Sequence, residues 1–244
     1  MQAFLPIAAM MALASPLDRL EAEPGLYGEV NLEYKVNLTA LLLWPHNYRF
    51  AQMLVEPARR PEEAVYLAFG PPGSTEDCKV VSNRMRKSLA GQIFHMTRID
   101  ATGGEYFSMD DALRKKAALV AVDRASTVLT WAICEKLARV WMAALVRVRP
   151  REYSEDTIEI RGHGDTFHFE SFTNGEGYRG GSSWSPEEGT KMAALVNLAN
   201  DLIGYARSPT QERERLAAGL AAAATRLLAR LEETPLPGSV LKAK

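Results

Sequence analysis

Residues 158–170 read IEIRGHGDTFHFE, two short runs of alternating apolar and polar residues on either side of a glycine-rich turn. Side chains two positions apart on a strand point to the same face, so Ile158 shares a face with Ile160 and Phe167 with Phe169. We predict a β-hairpin with a two-residue loop in either of two registers, one of which pairs Ile160 with Phe167. In both registers the four apolar side chains point to the core, as in an antiparallel sheet.

The polar side chains of the same stretch lie on the opposite face of the predicted hairpin, where they form a candidate site of Glu159, Arg161, His168 and Glu170. A histidine beside a carboxylate can exchange protons near neutral pH. A metal site would need three or more converging ligands, and His163 and Asp165 lie in the turn rather than on this face. Because Asp and Gly are ordinary turn residues, we interpret the stretch as a structural hairpin. The alternatives are a ligand-binding face and, after it, a metal or catalytic site. We assign no catalytic residue, metal or cofactor.

Two periodicities in the rest of the chain predict the fold class. Alternation with period two, typical of half-buried strands, occurs in three N-terminal segments that would form a meander, residues 28–39, 48–55 and 64–69. Apolar residues at three- and four-residue steps, typical of amphipathic helices, occur at 123–148, 190–206 and 209–233, the last with a capping box from Ser208 to Gln211. The predicted fold is therefore α+β, a mostly antiparallel sheet packed against about three amphipathic helices.

The N-terminus allows two interpretations. Residues 1–14 are apolar and end in the Ala-Leu-Ala pattern of a signal peptide cleaved before Ser15, although no Lys or Arg precedes the apolar run. A periplasmic or secreted protein is expected if the segment is removed, and a cytoplasmic one if it forms a helix of the fold. We predict a single α+β domain over 15–244. The apolar run is too short to span a bilayer, and we expect no transmembrane segment.

Composition narrows the class of partner. The chain of 244 residues is 47% hydrophobic and 24% charged, with a net charge of −1. A nucleic-acid-binding surface normally shows a basic excess, so we expect no nucleic-acid partner. Cys78 and Cys134 are the two cysteines and neither lies in a zinc-type spacing. They form either one disulfide in an exported protein or two unrelated thiols.

The C-terminal third resembles a loose, uncharacterised and often exported group of bacterial proteins. The resemblance is carried by GDTFHF at 164–169, by Trp184-Ser185-Pro186 and by the amphipathic helix that ends in Tyr205. Members of the group have an Asp-Gly-x-x-Tyr-His-Phe-like strand followed by Trp-Ser-Pro and a closing helix. This chain has Gly-Asp in place of Asp-Gly, and Phe167 in place of the Tyr. The resemblance implies that His168 belongs to a structural strand and favours export, and it implies no reaction.

These observations favour a non-enzymatic protein-binding module of the bacterial envelope, such as an inhibitor or immunity-type protein. Trp184, at a strand end, is most simply a core residue, and it is also the candidate anchor for a partner. One alternative is a hydrolase that uses His168 with a carboxylate within residues 159–170. Another is an oligomeric structural protein assembled through the Ala-rich helix at 209–233.

Overall fold

The computed structural model describes residues 18–22, 38–39, 41–43, 49–69, 77–88, 98–99, 105–106, 121–148, 164–173 and 177–233. The strands in these ranges are β1 (Arg49–Glu56), β2 (Glu63–Ala68), β3 (Cys78–Met85), β4 (Arg98–Ile99), β5 (Glu105–Tyr106), β6 (Val122–Leu129), β7 (Thr166–Thr173) and β8 (Gly177–Trp184). The helices are α1 (Trp131–Leu145), α2 (Lys191–Arg207) and α3 (Arg213–Glu232), with a 3-10 turn at Thr210–Glu212 before α3.

Six of the strands form one antiparallel sheet, in the spatial order β6-β3-β2-β1-β7-β8. The first half of the chain supplies β1, β2 and β3, each paired with the next, and β6 follows as one edge strand. The β7–β8 hairpin from the second half is added on the free side of β1. The short pair β4–β5 forms a separate ladder. The predicted α+β class with a mostly antiparallel sheet is confirmed.

The sheet has two buried faces. One face carries Val65, Leu67, Phe167 and Phe169 and packs against α1 and α2, with α3 packed on both helices. The other face carries Leu54, Tyr66 and Val81 and lies in a smaller core with Leu38, Leu42 and Leu43. The Asn83 side-chain amide donates a hydrogen bond of 2.5 Å to the Leu42 carbonyl, which ties this second layer to the sheet.

The predicted strand at 28–39 is wrong at its end. Residues 38–39 and 41–43 are helical, and 28–37 lie outside the described residues. Leu38 and Leu42 are one helical turn apart and both are fully buried, so the leucine run fits a helical period as well as an extended one. The strands predicted at 48–55 and 64–69 are confirmed as β1 and β2, each within one residue.

The predicted helix at 123–148 is wrong over its first seven residues. Residues 122–129 form β6, which pairs along its whole length with β3. Thr130 has extended dihedral angles, φ −63° and ψ 143°, and α1 begins at Trp131. The helical spacing of Leu129 with Ile133 and Leu137 is real, but pairing with β3 decides the conformation of the residues before Thr130.

The two C-terminal helices were predicted within a few residues, but one cap was assigned wrongly. Thr190 caps α2, since its hydroxyl accepts a 3.1 Å hydrogen bond from the Ala193 N–H. The Ser208 hydroxyl instead donates to the Tyr205 carbonyl at 2.8 Å, so it closes the end of α2. Ser208 therefore does not cap α3, which begins only at Arg213, after the 3-10 turn.

A short segment near the N-terminus, residues 18–22, is fixed across the outer edge of β8. Glu21 and Ser182 exchange two backbone hydrogen bonds of 2.8 Å, and Leu20 is 1% exposed. The Asp18 carboxylate accepts the Lys191 N–H and lies 3.4 Å from the Lys191 ammonium, at the start of α2. Gly181 permits this approach, because a Cβ there would lie 3.0 Å from the Leu20 Cβ and 3.2 Å from the Glu21 carbonyl oxygen.

Cys78 and Cys134 form a disulfide that joins the start of β3 to the first turn of α1, with Cα atoms 6.4 Å apart. Both residues are fully buried in the larger core. Of the two interpretations open from the sequence, the structure supports the disulfide. No helix in the part of the chain that the structure describes is long and apolar enough to cross a bilayer.

Replacing both cysteines with alanine should lower the free energy of unfolding by about 4 kcal/mol, the loop-entropy value for a cross-link that closes about 56 residues. Urea unfolding of the oxidised protein and of the C78A/C134A variant would measure the difference. The matched control is the wild type under reducing conditions, which should unfold near the variant. Two titratable thiols in the native, unreduced protein would contradict the prediction.

Candidate functional site

Strand β7, which contains the phenylalanines of the HGDTFHFE stretch, has neighbours on both edges. Phe167 lies opposite Val55 of β1 and Ser183 of β8. The predicted pairing of Ile160 with Phe167 is therefore wrong, because no edge of β7 remains for it. Residues 158–161 lie outside the described residues, and with them Glu159 and Arg161 of the predicted site.

The inward orientation of the two phenylalanines is as predicted. Phe167 and Phe169 are 6% and 0% exposed, and the Phe169 ring packs edge-on against Trp141 with centroids 6.0 Å apart. The Trp141 indole N–H donates to the Gln52 carbonyl at 3.0 Å, so its polar group is satisfied within the core. The alternation of the strand then sends His168 and Glu170 to the other face of the sheet.

On that face His168 contacts a carboxylate that the sequence did not indicate. The His168 Nε2 lies 3.2 Å from the Glu56 Oε1, and the two side chains are 13% and 22% exposed. Glu56 is the last residue of β1, far away in sequence, and the register that sets Leu54 opposite His168 brings it close. A partly buried imidazole in contact with a carboxylate can accept or donate a proton.

Glu170, the other predicted carboxylate, is linked to β1. It accepts a hydrogen bond from the side-chain amide of Gln52, which lies directly opposite in the ladder and is 3% exposed. This bond satisfies a buried amide donor, so Glu170 has a clear structural role.

The turn residues of the stretch also have structural roles. Asp165 accepts a 3.0 Å hydrogen bond from the Ala58 N–H and forms a 3.0 Å ion pair with Arg60, which ties the start of β7 to the β1–β2 loop. Gly164 packs against the indole of Trp184, since a Cβ at this position would lie 2.6 Å from the ring. Trp184 is half-buried, which favours packing over anchoring of a partner.

A second carboxylate, Glu63, is more deeply buried and is neutralised by arginines. Its side chain is 2% exposed, 2.9 Å from the Arg84 guanidinium and 3.6 Å from that of Arg207. Arg207 also donates to the Ser82 hydroxyl at 3.0 Å. A buried charge needs such partners, so this cluster fastens the end of α2 to the sheet. Within the described ranges no three His, Cys, Asp or Glu residues gather as metal ligands.

The most exposed large apolar side chain of the described residues is Trp131, at the start of α1, with 58% exposure. Its indole packs against the Phe69 ring at a centroid distance of 4.8 Å with the planes tilted by 54°, and Phe69 contacts Phe50 at 4.7 Å with the same tilt. Val128, three residues earlier, is 49% exposed. We call the three rings of Phe50, Phe69 and Trp131 the aromatic surface. It was missed because residues 123–148 were interpreted as one amphipathic helix.

The aromatic surface lies at the end of strand β6, which forms an edge of the sheet among the described residues and pairs there with β3. Arg86 N–H donates to the Ala121 carbonyl at 2.9 Å, so the odd-numbered residues of β6 bond to β3. The even-numbered residues direct their N–H and C=O groups to the outer edge. The Tyr205 hydroxyl agrees with this assignment, since it donates to the Val128 carbonyl at 2.7 Å.

Comparison of the chain with family models, with curated proteins and with solved structures finds no match. The resemblance of the C-terminal third to an exported bacterial group therefore stays a prediction.

The Tyr205 hydroxyl bond gives a pH-dependent prediction. Burial raises the pKa of Tyr205 above its ordinary value, and the positive charge of Arg213 opposes the rise. The hydroxyl is then protonated in the folded state up to at least about pH 10. Tyr205→Phe should lower the free energy of unfolding by about 1 kcal/mol at pH 7.

A group whose pKa is raised on folding stabilises the protein below its unfolded pKa, and the stabilisation is lost as pH rises through the folded pKa. The gap between wild type and Tyr205→Phe should therefore narrow above about pH 10. Urea unfolding of both proteins at several values between pH 7 and 11 would measure the gap, and a constant gap would contradict the assignment.

Proposed function

We propose that this protein is a non-enzymatic protein-binding module and that it binds its partner through the aromatic surface. The observation that carries the proposal is the exposure of Trp131 in a cluster with two further rings. Tryptophan is enriched among the residues that dominate binding energy, and partner groups around it exclude water.

The packing of the rings supports this role energetically. Because the Trp131 indole already packs against the Phe69 ring, its side chain loses less conformational freedom when a partner covers it. An indole in water exposes a large apolar area. Removing this area from water in an interface is favourable.

An envelope location forms part of the proposal. Disulfides persist in oxidising compartments such as the bacterial periplasm, and the Cys78–Cys134 bridge fits such a compartment. Cleavage before Ser15 would leave the segment at 18–22, which is built into the fold, in the mature chain. Within this class we favour an inhibitor or immunity-type protein, which uses a rigid, preformed surface.

The proposal of an oligomeric structural protein has less support. Its motivation was the apolar stripe of α3, and the buried residues of that stripe, Leu220, Leu227 and Leu231, lie in the core with α1 and α2 of the same chain.

A photo-cross-linking amino acid placed at position 131 tests the proposal in cells that naturally produce the protein. We expect one discrete adduct with another protein from position 131, and none from the matched control position Ala222, which is exposed on α3. In the isolated complex, Trp131→Ala should weaken binding by at least about tenfold. No adduct at 131, or equal adducts at both positions, would contradict the proposal.

A hydrolase is the second candidate, because the His168 imidazole and the Glu56 carboxylate lie 3.2 Å apart in a partly buried setting. The pair would act as a general base that activates a water molecule. The carboxylate partner of His168 in this candidate is therefore Glu56 and not one of the carboxylates within residues 159–170.

Chromogenic ester, amide, glycoside and phosphate substrates would test the hydrolase. If one is cleaved, His168→Gln and Glu56→Gln should each lower kcat by about a hundredfold or more. Glu212→Gln, at an exposed position on the 3-10 turn, is the matched control and should leave the rate unchanged. Failure of the wild type to cleave any class, or full activity in both variants, would exclude this candidate.

A further inference from the structure

We propose that the guanidinium groups of Arg84 and Arg207 form a binding site for a carboxylate group. We call these two residues, together with Glu63 and Ser82, the arginine cluster. The inference goes beyond the proposed function and does not depend on it. It is carried by the buried groups that hold the two arginines, by the donors that the arginines leave unused, and by an excess of positive charge.

The arginine cluster lies at one end of the sheet. Glu63 begins β2 and lies directly opposite Arg84 of β3, which in turn lies opposite Asp123 of β6. Arg207 is the last residue of α2, so the end of this helix meets the sheet here. The aromatic surface includes Phe69, which follows the other end of β2. The two regions are therefore separated by the length of a strand.

Buried groups hold both guanidinium groups in place. The Glu63 side chain is 2% exposed, with Oε2 at 2.9 Å from the Arg84 Nη2 and Oε1 at 3.6 Å from the Arg207 Nε. Arg207 also donates to the fully buried Ser82 hydroxyl at 3.0 Å and to the Asp123 carbonyl at 3.2 Å. Because the cations are already fixed, little side-chain entropy is lost when a ligand binds.

Both arginines keep donors that the cluster does not use. A guanidinium group has five N–H donors. In the described part of the chain Arg84 donates from Nη2 to Glu63, its Nε and Nη1 have no acceptor there, and its side chain is 46% exposed. Arg207 likewise leaves Nη1 without an acceptor among the described residues and is 27% exposed. A carboxylate accepts two N–H bonds from such a planar group.

The balance of charge favours a carboxylate over a phosphate. Three cations of the described chain, Arg84, Arg86 and Arg207, meet two anions, Glu63 and Asp123, and Asp123 lies 2.7 Å from Arg86. One positive charge of this group therefore has no counter-charge within it. A single carboxylate neutralises that charge, whereas a phosphate dianion would leave a net negative charge beside the buried Glu63, which is costly.

Two other acidic residues lie nearby in the chain and are engaged elsewhere. Glu62 immediately precedes β2, and its carboxylate accepts the Ser88 hydroxyl at 3.2 Å. Glu212 follows the end of α2 and lies 3.5 Å from Arg215. Among the described residues neither carboxylate forms an ion pair with the two arginines of the cluster, so the excess of positive charge is not removed by them.

The test follows the arginine Nε–H signals of the oxidised full-length protein by NMR at constant ionic strength. The probes are acetate, the capped peptide acetyl-Gly-Glu-Gly-amide and inorganic phosphate. We expect acetate and the peptide to shift the signals of Arg84 and Arg207 saturably, and phosphate to bind no more tightly than acetate. Tighter binding of the peptide would assign the carboxylate to a protein ligand, and tighter binding of acetate to a small molecule.

Three variants test the roles of the individual charges. Arg84→Gln should weaken acetate binding by about tenfold, because it removes a charge-assisted hydrogen bond. The matched control is Arg124→Gln, at an exposed position of β6 that alternation places on the other face of the sheet, and it should leave binding unchanged. Asp123→Asn raises the excess of positive charge and should tighten binding by about threefold, a change that a purely structural role of the arginines does not predict.

If Arg84→Gln does not fold, Arg84→Lys keeps a cation beside Glu63 and lacks the planar donor group, so it should still weaken binding by about threefold. The inference is overturned by the absence of a saturable shift at tens of millimolar acetate. Unchanged affinity in the Arg84 variants, or weaker binding by Asp123→Asn, would also overturn it.

The outcome is separable from that of the proposed function, because the cross-link from position 131 does not require Arg84. A cross-link that persists while acetate fails to bind would sink this inference alone. Carboxylate binding in a protein that gives no cross-link from position 131 would sink the proposed function alone.

Discussion

The pairing of β1 with β7 is the contact on which the rest of the structure depends. It joins the β1–β2–β3–β6 ladder to the β7–β8 hairpin, so that residues more than a hundred positions apart become neighbours. The pairing sets Val55 opposite Phe167 and Met53 opposite Phe169. These four side chains lie on the face of the sheet against which α1 and α2 pack. The entropy of closing such a long loop opposes this pairing, and the packing of the helices and the disulfide between β3 and α1 help to offset it.

The same register creates the polar arrangement on the opposite face. Once Leu54 lies opposite His168, Glu56 reaches the imidazole and Gln52 reaches Glu170. A shift of one residue would reverse both faces of β7 and remove all of these contacts. Packing on one face and hydrogen bonding on the other therefore select one alignment, and the roles of His168 and Glu170 follow from it.

The sequence predicted what local periodicity can determine. The alternation of Phe167 and Phe169 placed them inward, β1 and β2 were found within a residue, and α2 was found with nearly its full length. Partners across the sheet were not predictable. Ile160 was an equally good neighbour for Phe167 by pattern, and nothing local marks Val55 or Glu56 as the residues that lie beside β7.

The aromatic surface was missed for a related reason. The helical spacing of apolar residues in α1 extends to Leu129, which precedes the helix, since Leu129 is four residues before Ile133. Only the pairing of β6 with β3 shows that the helix begins after Thr130. Along β6 and the residue after it, exposed residues do alternate with less exposed ones, which is a signal of period two. The exposed set is Arg124, Ser126, Val128 and Thr130, and the other set is Ala125, Thr127 and Leu129. It is weak, since Thr127 and Ser126 are both polar and give little contrast.

The segment at 18–22 gives the sheet two unequal ends. Glu21 occupies the middle of the outer side of β8, held by the buried Leu20 and by Asp18 at the start of α2, whereas β6 has no such cover among the described residues. At that position the chain itself occupies the backbone groups that a strand of another molecule would need.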